Sequence, residues 1–139
     1  MIAETIARLV DLGYPLKLIG GAALFQIAAE SNPKGVPAAF VIPLEETPSK
    51  NASGNFVIQR VTVAIGIILV VRNVSDNTGA AASSDMETVR NAVKTQLLGW
   101  QPSPAYDPLE RSRSALLAFK DGHMWWQDVY ISSYIDRSE

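Results

Sequence analysis

The chain has 139 residues, of which 47 % are hydrophobic and 19 % charged, and its net charge is −2. That length fits one domain of ordinary size, able to bury a core without covalent staples. No cysteine is present, which excludes disulfides, thiolate catalysis and sulfur-ligated metals. No basic block marks a nucleic-acid binder. The charged share is low for a soluble protein, as expected if partners cover part of the surface.

In chain order, residues 2–12 read as a helix. Ile2, Ile6, Leu9 and Val10 recur at helical spacing, and Gly13 with Pro15 supplies the stop. Residues 16–19 form a short strand. Gly20 and Gly21 break it, and residues 22–30 form a small helix. Asn32-Pro33-Lys34-Gly35 is a turn signal, followed by a strand over 38–42 that Pro43 closes. Residues 44–55 hold Glu45, Glu46, Lys50 and few apolar side chains, which reads as a long polar loop.

Residues 56–72 carry the strongest strand signal. Val57, Val61, Val63, Ile65, Ile67, Leu69 and Val71 share one parity and must face a core. The other parity, from Arg60 and Thr62 to Arg72, begins mixed and ends apolar. It is expected to be partly wet or covered by a neighbour. So long a strand is expected to bend, with Gly66 as the candidate site. Residues 73–79 form a loop. Ser84 and Glu87 suggest a capping box, opening a helix whose core stripe is Met86, Val89, Val93 and Leu97, with Gly99 as its stop. Residues 109–120 and 123–135 pair as a hairpin across Asp121-Gly122. Trp125, Val129 and Ile131 take one face of the return strand; Trp126, Asp128 and Tyr130 take the other. Both faces are too apolar to lie alone in water.

Catalytic constellations are missing from this pattern. His123, the single histidine, sits beside the hairpin turn, a poor place to preorganise a base. One histidine without cysteine leaves only carboxylates for a metal. Glu45 and Glu46 lie in the polar loop; Asp85 and Glu87 suit a helix N-terminus; Asp107 and Glu110 flank Pro108 in solvent. Gly20-Gly21-Ala22-Ala23 lacks the spacing of a phosphate loop. Trp100, Trp125 and Trp126, with no basic groove, read as core or interface anchors. No catalytic, cofactor or metal residue is assigned. The apolar run 61–71 is too short to span a membrane, and residues 1–5 lack the pattern of a signal peptide. A soluble, intracellular α+β protein that assembles with copies of itself is expected.

Several segments together carry a likeness. They are Gln59-Arg60-Val61-Thr62-Val63 running to Val70-Val71-Arg72-Asn73, Leu97-Leu98-Gly99-Trp100-Gln101-Pro102, Asp121-Gly122, and Trp125-Trp126-Gln127-Asp128. With Ile2-Ala3, Ile6-Ala7-Arg8-Leu9 and Gly20-Gly21-Ala22, the chain resembles the tail terminator proteins of long-tailed phages and prophages. The resemblance covers most of the chain and is weakest over 44–56. It implies an α+β fold, a mostly antiparallel sheet flanked by helices. It also implies a structural virion protein whose hexameric ring caps the tail tube and stops its polymerisation. Its implied partners are copies of itself, the major tail tube protein and a head-completion or neck protein. DNA would pass through the ring without sequence-specific binding, and no membrane is involved. The implied location is the virion tail, with assembly in the host cytoplasm.

A closed ring needs two unlike contact faces on each subunit. The candidate interface residues are Arg60, Thr62 and Arg72 on the long strand, and Trp125, Trp126, Asp128 and Tyr130 on the hairpin. Glu45, Glu46 and Lys50, in the polar loop, would form an arm toward tube or neck. The competing readings are a neck, connector or minor tail subunit, a small carboxylate-dependent enzyme, and a nonviral ligand-binding module.

Overall fold

The computed structural model describes residues 1–73, 75 and 78–138. Its elements are α1 (Ile2–Leu12), β1 (Leu18–Gly20), α2 (Ala22–Ser31), β2 (Ala38–Pro48), β3 (Ile58–Arg72), α3 (Ala80–Leu97), β4 (Glu110–Lys120) and β5 (His123–Arg137). The five strands form one sheet in the order β1-β2-β3-β5-β4. Only β1 and β2 run parallel; the other neighbours are antiparallel. The architecture is α+β.

β3 is the spine. It pairs with β5 without a register shift from Ile58↔Arg137 to Arg72↔His123. Its apolar parity lands where the alternation requires. Val61, Val63, Ile65, Ile67, Leu69 and Val71 join Leu9 of α1 and Met86, Val89, Val93 and Leu97 of α3 in one core. The two helices are also tied to each other. Arg8 Nε donates to the Gln96 carbonyl at 3.0 Å, and Gln96 Nε2 donates to the Arg8 carbonyl at 2.9 Å.

The upper half of the other sheet face is covered by α2. Ala28, Phe40, Ile68, Val70 and Trp125 form a second core there. Phe25 packs at 5.9 Å from Phe40 and edge-on to Trp125 at 6.3 Å, as centroid separations. Gly66, expected as a bend, pairs regularly; the register shift lies beside it in β2, between Pro43 and Glu45. A Cβ on Gly66 would fall 3.1 Å from Ile42 Cγ1, so its role is close approach between strands.

Three expectations change. β2 does not stop at Pro43 but continues to Pro48, so the polar loop shrinks to residues 49–57. The reason is position: β1 pairs only with residues 38–40, and beyond them β2 is an edge strand. A proline on an edge breaks no ladder bond on its outer side. The remaining tip is organised by Asn51, whose Oδ1 accepts from the Ser53 and Ile58 amides at 3.0 and 2.9 Å. The third helix begins at Ala80 with Gly79 as its N-cap, not at Ser84, because the alanines at 80–82 extend it by a turn. Of the loop expected over 73–79, residues 74, 76 and 77 lie outside the described residues. The hairpin turn forms as read, with Asp121 and Gly122 both at positive φ (53° and 72°), the pairing a type I′ turn requires.

Candidate functional site

The most polar buried group is Asp128, on the α3-facing side of β5. Arg90 of α3 grips it with two bonds, Nε to Oδ2 at 3.1 Å and a terminal nitrogen to Oδ1 at 2.8 Å. Trp126 Nε1 donates at 3.1 Å, and the Ser114 hydroxyl of β4 donates a very short bond. The Arg90 guanidinium also lies over the Trp126 ring, 4.4 Å from its centroid. Burial pushes the Asp128 carboxyl up, but the bonds from Arg90, Ser114 and Trp126 outweigh it and hold the group below the usual carboxylate range. Every strong donor around Asp128 is thus committed to packing α3 and β4 onto β5.

Tyr130 lies beside this network and is fully buried. Burial, with Asp128 nearby, pushes its phenol up to about 12, so it stays neutral. Its hydroxyl has no hydrogen-bond partner among the described residues. A buried hydroxyl without a partner costs about 1–3 kcal/mol. Tyr130→Phe is therefore expected to leave stability unchanged or raise it by about 1 kcal/mol, read by urea denaturation. A loss above about 1 kcal/mol would show that the hydroxyl is bonded.

His123 is buried, and its Nδ1 lies 3.0 Å from the Asp121 carbonyl, a turn contact. Among the described residues no group of three or more His, Cys, Asp or Glu is placed to hold a metal. No described helix is long and apolar enough to cross a membrane.

The expected interface residues separate into two sets. Trp125, Asp128 and Tyr130 are buried within the chain itself, and Trp126 is half-buried beneath Arg90. On the return strand β5, α3 lies over Asp128 and Tyr130 on one face and Phe25 of α2 packs on Trp125 on the other, so these three side chains are buried within the chain and Trp126 keeps part of its ring exposed. Arg60 is exposed but paired with Asp107 of the same chain. Thr62 is half-buried beside it; Arg72, Glu45, Glu46 and Lys50 are exposed.

What the sequence pattern did not single out is β4. All but one of its eleven residues are exposed, including Leu116, Leu117 and Phe119. It has no strand on its outer side. The other open edge is β2 past Phe40, where β1 ends. An unpaired edge of this length, even with register shifts at Arg111/Arg113 and Leu116/Ala118 in β4 and at Pro43/Glu45 in β2, is a template for another strand.

A mostly antiparallel sheet with helices on both faces, its buried charge spent on packing and its edges left open, defines a structural α+β subunit. The model of the family described as phage tail terminator protein matches residues 2–138, and the chain belongs to that family. Its role is accordingly structural, in a phage tail. No curated protein matches the chain. Among solved structures, a chain from the virion of a native gene transfer agent particle shares the fold. It is 14 % identical with a TM-score of 0.50, and the match covers 99 % of this chain and 95 % of that one.

Proposed function

We propose that the chain forms one domain, and that its copies close into a ring that caps the tail tube. The ring, expected to be hexameric, stops tube polymerisation and joins the tail to a head-completion or neck protein. The observation that carries this reading is the pair of unlike open edges, β4 and the outer half of β2, at opposite ends of one sheet. A heterologous ring closes only when each subunit offers two different complementary surfaces. The ordered tip at 49–57, with Lys50 exposed, is the arm toward tube or neck. DNA would pass the lumen without base contacts, in keeping with a net charge of −2 and no basic block. The ring belongs to the virion tail, and its subunits would assemble in the host cytoplasm.

The test is growth of the cognate tail tube from its purified tube protein, with and without this chain, imaged by negative stain. The proposal expects shorter tubes bearing a ring at one end when the chain is present. Unchanged tube lengths with bare ends would contradict it.

A further inference from the structure

The two open edges are matched in charge, face and direction. β4 carries Arg111, Arg113 and Lys120 against a single acid, Glu110; the open part of β2 carries Glu45 and Glu46 and no base. Among the described residues none of these four central charges, Arg111, Arg113, Glu45 and Glu46, forms an ion pair within the chain.

Their faces follow from register. Arg111 lies opposite Tyr130 and Arg113 opposite Val129, across a register shift, so the two arginines take opposite faces. Tyr130 belongs to the core under α1 and α3, which puts Arg111 on that side. Glu46 lies opposite Val63, in the same core, and Glu45 opposite Ala64 on the other face. Each edge therefore presents one charge per face, arginine on one and glutamate on the other.

Direction agrees as well. β2 is antiparallel to β3, β3 to β5 and β5 to β4, so β4 runs antiparallel to β2. A neighbour related by simple repetition of the sheet brings β4 against β2 in antiparallel sense. That sense aligns Arg111 with Glu46 and Arg113 with Glu45 in order. Farther along, β4 would reach the neighbour's β1 side. There Leu18, Leu24, Ile27 and Ala28 line an apolar groove of about 220 Å³, and Leu24 and Ile27 are exposed. Leu117 of β4, exposed and on the α2 side of the sheet beside Phe25 and Ala29, suits it.

We propose that β4 of one copy adds to the open edge of β2, residues 42–48, in the next copy, so that a single sheet continues from subunit to subunit. The contact is strand addition: backbone bonds supply affinity, and the charge pairs set register and partner. This rests on the ring reading above, and its occupant is a second copy of the same chain.

Charge reversal tests it, because among the described residues all four side chains are exposed and none is in an ion pair, Glu46 meeting the Tyr134 hydroxyl instead, so the fold should survive. Glu45→Arg with Glu46→Arg makes both edges basic; Arg111→Glu with Arg113→Glu makes both acidic. Each double variant alone is expected to lose ring formation by roughly tenfold or more in concentration, by sedimentation and negative stain, with unchanged circular dichroism. Mixing the two variants should restore rings of alternating subunits, and the quadruple variant should form rings by itself. Rings from either double variant at wild-type concentrations would overturn the edge pairing, as would failure of both restorations. Rings that persist in the variants but no longer bind tubes would also overturn it, assigning the edges to the tube. If the wild-type chain forms no ring, alone or on tubes, the ring reading itself falls.

Discussion

Asp128→Ala is expected to destabilise the protein by about 3 kcal/mol, because removing one partner of a buried ion pair strands the other. The substitution leaves Arg90 without its bidentate acceptor and frees the Trp126 and Ser114 donors in the same stroke. For a chain of this length that is a fall in Tm on the order of 10 °C. The pH dependence follows from the depressed carboxyl. Its folded pKa is below the unfolded value of about 3.9. The stability it contributes is therefore present above about pH 4 and is lost as pH falls through the folded pKa. Asp128→Ala and Asp128→Asn should both lose stability at pH 7 and show a flatter acid limb below pH 4. Thermal melts at pH 7 and pH 3 check this; a variant melting like wild type at pH 7 would show that the network contributes nothing net.

Phe40→Ala is expected to cost about 4 kcal/mol, within the range for emptying a fully buried aromatic site. Its damage should be local. Phe40 is the floor on which Phe25 rests, and through Phe25 the contact reaches Trp125. Losing it should loosen α2 ahead of α1 and α3, which are held on the opposite face by a separate core. Urea denaturation reads the total, and amide exchange should show α2 opening first. Leu24→Ala, on the exposed side of α2, should cost less than about 1 kcal/mol. Equal protection of all three helices in Phe40→Ala would contradict the two-core account.

These two sites also show where the sequence was readable. β3 announced itself through six branched residues on one parity, α3 through Met86, Val89, Val93 and Leu97, and the hairpin through Asp121-Gly122. Those signals are local, set by a period or a turn type. The extent of β2 was not readable, since Pro43 reads as a stop unless the strand is known to lie on an edge. The cover of the hairpin was not readable either. A period of two shows that Trp125 and Tyr130 need burial, but not whether a partner or the chain's own helices supply it. Arg90 and Asp128 stand 38 positions apart, and no spacing rule joins them. The open edge of β4 emerges only from strand order, since its composition of Arg, Ser, Ala and Leu resembles any amphipathic segment.

The central claim is that copies of this chain close into a ring at the end of a tail tube. Negative-stain imaging of tube protein polymerised with the purified chain tests it most directly. The account predicts tubes of limited length, each ending in a ring of this chain about as wide as the tube. Tubes that grow to the same length as in its absence, with the chain left free in solution, would contradict it.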